Sequence, residues 1–401
     1  MDILIVAQYF GNIEQLDKSN NRFIYLASLL AKYHNVEVLT TSFVHAKKKQ
    51  GMNIPNEYHG FRITALSEPG YPKNVCLMRF YSHGILAKKM NEYMNKRKKP
   101  DVVYCAVPSL DCAYAAAKYA KSNNIPFIID IQDLWPEAFK MVIKVPMLKD
   151  IVCLPMDKKA DYIYSSADHI IGVSNTYCDR AKRVNADATT TSVLIGTNLP
   201  DFDNNAQNYK VTREDEKIVL GYCGTLGHSY DLRCVFDALQ IVKARGYTNI
   251  EFWVLGNGPL YQTFEKYAEE RDINVKFWGW LPYEQMCGVL SSCDICINPI
   301  SKGAAQSIIN KHADYAASGL PIISTQECAE YRALLDDNNC GINCQCAESQ
   351  SVADALIYLA DNPSERKQMG INARKMAETL FDRSKTYMQI KEIIENCSVK
   401  K

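Results

Sequence analysis

Short apolar runs alternate with amphipathic stretches along most of this 401-residue sequence. In the first half, the apolar runs are residues 3–9, 36–40, 102–106, 127–131 and 170–173. Residues 22–33 and 112–122 carry apolar side chains at helical spacing between these runs. Two parallel, buried strands that are joined by a helix form a βαβ unit. The alternation therefore predicts a doubly wound α/β domain in this half.

The same pattern restarts after residues 198–216, a polar segment rich in Asn and Asp that is typical of an interdomain connection. The predicted strands of the second half are residues 218–223, 250–255, 275–278, 295–298 and 321–324. Beyond residue 381, an amphipathic stretch has no strand to return to, so we expect it to pack back onto the first domain. The predicted domains are residues 1–200 and 201–380, followed by a C-terminal helix at 381–401.

Ligands of open parallel sheets bind beyond the carboxyl ends of the strands. Two such sheets that face each other would place a single ligand cleft between them. We therefore predict an α/β fold of two Rossmann-like, doubly wound domains facing a central cleft, with the functional residues located just after strands.

Composition is ordinary for a globular protein, with 47% apolar and 23% charged residues. Asp2 stands where a signal peptide would be positive, and no apolar run approaches the ~20 residues of a bilayer span, so we expect a cytoplasmic protein. Among the fifteen cysteines, only Cys340, Cys344 and Cys346 form a cluster. This cluster has no second pair of cysteines and no histidine nearby, which favours free thiols in a loop over a metal site.

Positive charge is concentrated in the first half. Residues 1–200 contain 25 Lys and Arg against 18 Asp and Glu, a net charge of +7, whereas residues 201–401 have a net charge of −6. Between Arg79 and Lys99, Lys88, Lys89 and Arg97 interleave with apolar side chains that include Phe80, Tyr81, Leu86 and Met94. Such a stretch fits contact with an anionic membrane surface, or a solvated helix face with an ordinary apolar stripe. Both interpretations stay open.

A short glycine-containing loop directly follows the strand predicted at residues 218–223. Its residues are Gly224, Thr225, Leu226, Gly227 and His228. Amides in such a loop approach a phosphate closely, although a structural turn is the alternative. His228 either contacts the ligand or simply lies in the loop.

The segment at residues 301–324 carries the stronger signal. Small residues and Ser307 precede a predicted helix whose free amides and dipole favour an anion, and Lys311 adds a positive charge. Gly319 and Pro321 end the helix sharply before the next strand. This arrangement suits a pyrophosphate.

Four segments resemble one known family. The sequence Asn-Lys-His-Ala-Asp-Tyr-Ala-Ala-Ser-Gly-Leu-Pro at residues 310–321 is similar to its Asn-Lys-x-x-Glu-Tyr-x-Ala-x-Gly-x-Pro signature. Residues 130–137 resemble the Asp-Leu-Trp-Pro-Glu segment of one amino-sugar-transferring branch, and residues 167–174 and 256–259 resemble other landmarks. The family is that of retaining GT-B glycosyltransferases of the large bacterial family four, particularly those of capsule and O-antigen assembly.

The resemblance implies a donor site in the second domain. The family's second glutamate, which contacts the nucleotide ribose, falls on Asp314, and the first, near the donor sugar, falls on Gln306. Both positions depart from the signature. Lys311, together with Lys302, is expected to supply positive charge to the phosphates, and Gly256 is a further expected donor contact.

The resemblance also implies an acceptor site in the first domain. Asn20, Asn21 and Arg22 occupy the loop where the family has a glycine-rich segment; the alternative is a helix cap with an exposed arginine. Asp133 and Glu137 flank Trp135, an arrangement that suits sugar binding, or that forms a salt-bridged turn.

The implied reaction transfers a sugar from a UDP-sugar, such as an N-acetylated amino sugar, with retention at the anomeric carbon. The acceptor is a saccharide or a polyprenyl-linked saccharide in surface polysaccharide assembly at the inner face of the membrane. Asp133, Gln306 and Lys311 are the expected catalytic residues, with no metal, other cofactor or nucleic acid. The alternatives are a non-catalytic nucleotide-binding subunit and a nucleotide-sugar epimerase.

Overall fold

The structure, a computed structural model, describes residues 1–16, 20–74, 76–142, 146–214, 216–304 and 307–399. It divides into two compact units. Unit 1 comprises residues 1–193 and 387–401, and unit 2 comprises residues 194–386. The boundaries predicted at residues 200 and 380 lie near these divisions.

Unit 1 is built on an eight-stranded sheet. Its first strands are β1 (Asp2–Val6), β2 (Asn35–Thr41), β5 (Glu57–Tyr58) and β6 (Phe61–Leu66), and β3 (Phe43–Val44) pairs with β4 (Lys49–Gln50) in a separate hairpin. The later strands are β7 (Val102–Val107), β8 (Phe127–Ile131), β9 (His169–Gly172) and β10 (Thr189–Ser192). The order is β10-β9-β8-β7-β1-β2-β6-β5, and all neighbours are parallel except β5 and β6. The strand order reverses between β1 and β7, as in doubly wound sheets.

Helices cover both faces of this sheet, which is why β1, β7 and β8 are almost wholly buried and apolar. They are α1 (Arg22–Ala31), α2 (Leu77–Lys96), α3 (Leu110–Ser122), α4 (Glu137–Val142), α5 (Pro146–Ser166) and α6 (Asn175–Lys182).

Unit 2 contains a six-stranded parallel sheet. Its strands are β11 (Ile218–Cys223), β12 (Ile250–Leu255), β13 (Val275–Gly279), β14 (Ile295–Asn298), β15 (Ile322–Ser324) and β16 (Gly341–Asn343). The order β13-β12-β11-β14-β15-β16 is that of a Rossmann sheet, and it reverses between β11 and β14. A separate apolar core lies on each face of the sheet. The predicted doubly wound α/β class is confirmed.

The helices of unit 2 begin within the segment that we predicted to be an interdomain connection. They are α7 (Leu199–Asn208), α8 (Leu232–Ala244), α9 (Tyr261–Glu269), α10 (Tyr283–Leu290), α11 (Asn310–Ala317), α12 (Ala329–Asp337), α13 (Ser349–Asp361) and α14 (Pro363–Met376). A π-helical turn (Ala377–Phe381) and α15 (Arg383–Val399) follow. Although its sequence is mostly polar, α7 forms because Leu199 and Phe202 are buried in the unit 2 core.

The residues of α15 from Tyr387 onward belong to unit 1. Tyr387, Ile390 and Ile394 are fully buried in its core, and the Tyr387 ring packs edge-on against Tyr25 with the ring centroids 5.5 Å apart. These apolar positions recur at helical spacing, so one face of the helix completes the core.

Candidate active site

In unit 2 the loops that follow β11 and β14 lie side by side at the carboxyl edge of the sheet, where the strand order reverses. Asp231 N donates a hydrogen bond to Pro299 O over 2.8 Å, and Ser301 N donates to Ser229 O over 3.0 Å. Open α/β sheets bind their ligands at such a switch point. The two loops that carry most of the predicted donor residues therefore form one continuous surface.

The loop after β11 also packs backbone to backbone against the loop after β12. Gly224 N donates to Leu255 O over 2.9 Å, and Leu226 N donates to Asn257 O over 3.0 Å. A Cβ atom on Gly256, whose φ is 148°, would lie 1.8 Å from Gly224 O. Packing alone therefore requires glycine at position 256.

Three further predicted donor contacts occupy the same loop. Thr225 and His228 are exposed, whereas Gly227 is buried. The His228 carbonyl accepts a hydrogen bond from Ser301 Oγ over 2.8 Å. Ligand contact by these residues stays a prediction.

Lys311 lies in the first turn of α11 and is only 7% exposed. Its Nζ lies 4.4 Å from the ring centroid of Tyr222 and 3.7 Å from that of Tyr230, as in cation–π contacts. Among the residues that the structure describes, no group accepts a hydrogen bond from this nitrogen. Burial lowers the pKa of Lys311 to about 7. The site thus contains a buried amine with unfilled donor capacity.

Asp314 lies one helical turn beyond Lys311. Tyr283 OH donates to Asp314 Oδ1 over 2.9 Å, and the Tyr283 and Thr197 hydroxyl oxygens are 2.6 Å apart. Burial raises the pKa of Asp314 to about 6. The carboxyl group is therefore already oriented by neighbouring hydroxyls, and its contact with a ribose stays a prediction.

A buried amide network fixes the chain just before α11. Asn298 Nδ2 donates to Gln326 Oε1 over 2.9 Å and lies 3.1 Å from His312 Nε2. Gln326 Nε2 in turn donates to Ser307 O over 2.8 Å. Ser307 is thereby held beside the start of the helix. Gln306, the predicted donor-sugar contact, lies outside the described residues.

In unit 1, Asn21 is the N-cap of α1, and its Oδ1 accepts a hydrogen bond from Phe23 N over 2.8 Å; Asn20 precedes it in the loop. Arg22 points into the unit, where Nε donates to Asp130 Oδ2 over 2.8 Å. The Arg22 and Asp130 side chains are 2% and 0% exposed. The alternative of an exposed arginine is therefore wrong, because the guanidinium neutralises a buried carboxylate. Acceptor binding by Asn20, Asn21 and Arg22 stays a prediction.

The loop after β8 carries the other predicted acceptor residues. Trp135 Nε1 donates to Asp133 Oδ2 over 3.2 Å, and burial raises the pKa of Asp133. The Trp135 ring is buried and packs edge-on against Phe139, with the centroids 4.7 Å apart. Glu137 accepts a hydrogen bond from Arg180, as the salt-bridged turn predicts. Asp133 is thus oriented by the tryptophan, while Glu137 has a partner within the unit.

Sequence reasoning missed a group of aromatic and basic side chains beside Trp135. We define the Arg79 cluster as Tyr9, His45, Tyr71, Arg79, His83 and Trp135. Tyr9 lies shortly after β1, and His45 follows β3 directly. Their positions near strand ends were the signal that could have indicated a site. Nothing in their sequence spacing, however, indicates that they lie close together.

The basic stretch between residues 79 and 99 is only partly exposed. Arg79 is buried, and Arg97 is held by Glu37 and Asp2, with nitrogen–oxygen distances of 2.9 and 2.7 Å. Lys88 is exposed. The exposed apolar side chains include Leu77 and Tyr81 in the first turns of α2 and Ile151 and Val152 on α5. No described helix has the length and apolar character needed to span a bilayer.

The cysteine cluster separates into different environments. Cys344 Sγ donates to Ser351 O over 3.4 Å and Cys346 Sγ to Ile300 O over 3.4 Å, while Cys340 is buried. Within the described ranges, no three His, Cys, Asp or Glu side chains are grouped so as to hold a metal ion.

Comparisons with known proteins agree with this architecture. A family model described as glycosyl transferases group 1 matches residues 217–362. The chain is 25% identical to the amylovoran biosynthesis glycosyltransferase AmsK of Erwinia amylovora over 41% of each chain. It is 22% identical to the putative colanic acid biosynthesis glycosyl transferase WcaI of Escherichia coli over 73% of this chain and 74% of WcaI. The match thus spans less than half of AmsK and about three quarters of WcaI.

Among solved structures, HepE of Anabaena in complex with UDP superposes with a TM-score of 0.68 at 16% identity, covering 99% of this chain and 100% of HepE. At this identity the likeness concerns the fold. The fold is that of the GT-B glycosyltransferases, in which two sheet domains make up the chain. Residues 217–362 thus match the model of the group 1 glycosyl transferases, and the two sheet domains have the GT-B fold.

Proposed function

We propose that this protein transfers a sugar from a nucleotide diphosphate sugar, a UDP-sugar, to a saccharide or polyprenyl-linked saccharide acceptor in surface polysaccharide assembly. The observation that carries the proposal is Lys311. Burying a charge without a partner costs several kcal/mol, and such groups neutralise or find a counter-charge. A diphosphate beside α11 would supply that counter-charge and accept the hydrogen bonds that Nζ can donate.

The surroundings of Lys311 suit a diphosphate. The glycine loop after β11 passes close to Nζ: a Cβ atom on Gly224 would lie 2.7 Å from it. The α11 amino terminus adds a partial positive charge. Ser307 lies beside this terminus, and Asp314 lies one turn further along. We assign the phosphates to Ser307, Lys311 and the glycine loop after β11, and the ribose to Asp314.

Lys311 would also act in the chemical step. As the bond to the anomeric carbon breaks, negative charge develops on the diphosphate oxygens, and a positioned cation stabilises it. With charge neutralisation assigned to Lys311 and the helix amides, the proposal requires no metal. Retention follows if the acceptor attacks from the side that the diphosphate leaves. Asp133, whose pKa is raised by burial, is proposed to position the acceptor hydroxyl.

The relatives support the donor and the pathway. HepE was solved with UDP, and AmsK and WcaI are named for the biosynthesis of amylovoran and colanic acid. A lipid-linked acceptor would bring the protein to a membrane. The side chains of Leu77 and Ile151, which are 87% and 68% exposed, are suited to a bilayer surface, and the exposed Lys88 is suited to its anionic lipids.

Titration of the full-length chain with UDP, GDP and ADP in a thermal-shift assay tests the donor assignment. We expect stabilisation by UDP that is lost in Lys311→Met. Lys276→Met is the matched control, because Lys276 is an exposed lysine of the same unit whose Nζ lies 3.8 Å from the Trp278 ring centroid. Absence of a shift with every nucleotide would overturn the donor site.

A transfer assay separates the enzyme from the non-catalytic subunit that Gln306 suggests. UDP-sugars are incubated with lipid-linked and free saccharide acceptors, and the anomeric configuration of the product is read by NMR. Transfer with retention supports the proposal. UDP binding without transfer from any UDP-sugar, and without rescue by Gln306→Glu, would favour the non-catalytic subunit, and conversion of the sugar without an acceptor would favour an epimerase.

A further inference from the structure

The Arg79 cluster lies at the carboxyl edge of the unit 1 sheet, which is the ligand-binding edge of an open α/β sheet. Tyr9 comes from the loop after β1, His45 from the loop after β3, and Trp135 from the loop after β8. Arg79 and His83 come from the first two turns of α2. Four separate segments therefore bring these five side chains to one place.

Arg79 is 7% exposed and lies among aromatic rings. Its Cζ is 4.6 Å from the Trp135 ring centroid and 5.5 Å from that of Tyr71. NH1 donates to Asn74 O over 2.7 Å and NH2 to Tyr9 OH over 2.7 Å. In the described part of the chain, Nε has no hydrogen-bond acceptor. The guanidinium thus retains unfilled donor capacity inside the unit.

Arg79 also forms no ion pair with a described carboxylate, although its charge acts on the more distant Asp133. Two other buried arginines of unit 1 are ion-paired: Arg22 with Asp130, and Arg97 with Asp2 and Glu37. No described carboxylate lies within 4 Å of the Arg79 guanidinium. A guanidinium cannot escape the cost of burial by losing its proton, so an anion is the remaining way to neutralise it.

The nearby carboxyl groups are engaged elsewhere. Glu68 accepts hydrogen bonds from Ser82 Oγ and Gln8 Nε2, and Asp133 accepts one from Trp135 Nε1. A second cation adds to the positive potential. Lys48 Nζ lies 3.3 Å from His45 and 5.0 Å from the Tyr71 ring centroid. The cluster therefore attracts anions in preference to cations.

The remaining polar groups of the cluster are neutral donors and acceptors. Burial and the positive charge of Arg79 lower the pKa of His83 to about 3. Burial and the positive charges of Lys48 and Arg79 lower the pKa of His45 to about 4. His45 Nδ1 lies 2.6 Å from Tyr71 OH, and His83 Nε2 lies 3.4 Å from Tyr9 OH. Neutral imidazoles and phenols can share hydrogen bonds with phosphate oxygens without adding charge.

We propose that the Arg79 cluster binds a phosphate group of the acceptor, which defines the acceptor as a phosphate ester of a saccharide or of a lipid carrier. This inference rests on the proposed function. Trp135 links the cluster to Asp133, so the phosphate would be held beside the carboxyl group that we assign to the acceptor hydroxyl. An arginine suits this task because its planar fork of donors matches phosphate oxygens.

The test is a binding measurement that needs no donor sugar. Protein labelled with ¹³C on histidine is titrated with glucose 1-phosphate and with farnesyl phosphate, and with glucose and farnesol as neutral counterparts. We expect one or both phosphate esters, and neither neutral compound, to shift the ring signals of His45 and His83. A response to glucose 1-phosphate alone identifies a free sugar phosphate as the source, and a response to farnesyl phosphate identifies a lipid-borne one.

Arg79→Met should lower the affinity for the responding phosphate ester by about 10- to 100-fold, since a charged hydrogen-bond partner of the phosphate is lost. Arg79→Lys should recover part of the affinity. Arg62→Met is the control, because Arg62 is 58% exposed on its side chain and paired with Glu37. UDP binding, measured in parallel, should be unchanged in all three variants and shows that each is folded.

Two results would overturn the inference while leaving the donor site intact. In one, UDP binds through Lys311 but neither phosphate ester shifts His45 or His83. In the other, UDP itself shifts these signals as strongly as the esters do, which would assign the cluster to donor phosphates. Loss of UDP binding in the wild-type chain would instead count against the proposed function.

Discussion

The carboxyl edges of the two sheets each hold a buried cation without an acidic partner among the described residues, but the two cations differ in chemistry. Lys311 in unit 2 can release its proton, and burial lowers its pKa to about 7. Arg79 in unit 1 carries a guanidinium, a group that does not lose its proton in proteins. A buried amine can therefore gain its proton when an anionic ligand binds, whereas a guanidinium is already charged before the ligand arrives. Arg22, a buried arginine that is ion-paired with Asp130, is the reference with which these two unpaired cations are compared.

The largest expected effect concerns this reference. Arg22→Met leaves Asp130 buried without its counter-charge, so we expect the free energy of unfolding to fall by about 3–5 kcal/mol. Urea denaturation followed by circular dichroism measures it. Arg62→Met should change the same quantity by about 1 kcal/mol or less, because that arginine is exposed. Equal effects in the two variants would contradict the assignment of Arg22 to the buried pair.

Lys311→Met should follow in size. We expect kcat/KM for sugar transfer to fall by about 10²–10³-fold, as when a preorganised donor to a developing negative charge is removed. Steady-state kinetics with a saturating acceptor and a varied UDP-sugar measures this. Lys276→Met should transfer at the wild-type rate, and a comparable loss in both variants would point to a general effect of charge.

The pH dependence distinguishes the two cations directly. Burial depresses the folded-state pKa of Lys311, so the free protein has lost this proton above about pH 7, and binding of a diphosphate must restore it. UDP affinity should therefore fall by up to tenfold per pH unit above pH 7. Isothermal titration calorimetry at pH 8, in buffers of different ionisation enthalpy, should report uptake approaching one proton per UDP.

The smallest expected effect is on the stability of Arg79→Met. With no carboxylate left unpaired, removing this buried charge should change the free energy of unfolding by about 1 kcal/mol or less in phosphate-free buffer, in either direction. Urea denaturation is again the measurement. A loss as large as that of Arg22→Met would mean that Arg79 has a structural counter-charge.

Much of the fold could be predicted because the central parallel strands are covered on both faces. Strands such as β1 and β11 therefore read as nearly continuous apolar runs. The edge strand β10 consists of three threonines and a serine and was missed, as was α7, whose two buried apolar residues lie in a polar background. These two elements form because of tertiary packing, which the local sequence does not reveal.

The site was predictable to a different extent in the two units. The loop after β11 and the start of α11 are continuous segments with glycine, serine and lysine in recognisable order, so Lys311 could be singled out. The Arg79 cluster is assembled from separate segments across more than a hundred residues, and only the topology joins Tyr9 to Trp135. Burial of Arg22 depended likewise on Asp130, a distant partner.

Completion of unit 1 by residues 387–401 has a consequence for biosynthesis. Tyr387, Ile390 and Ile394 fill its core, yet the ribosome adds them only after the whole of unit 2. At a synthesis rate of about 5–20 residues per second, roughly 10–40 s pass between the synthesis of residue 193 and that of the unit 1 part of α15. During that interval the apolar positions on α1 and the sheet that meet it are uncovered, so the nascent chain would present a surface that chaperones recognise.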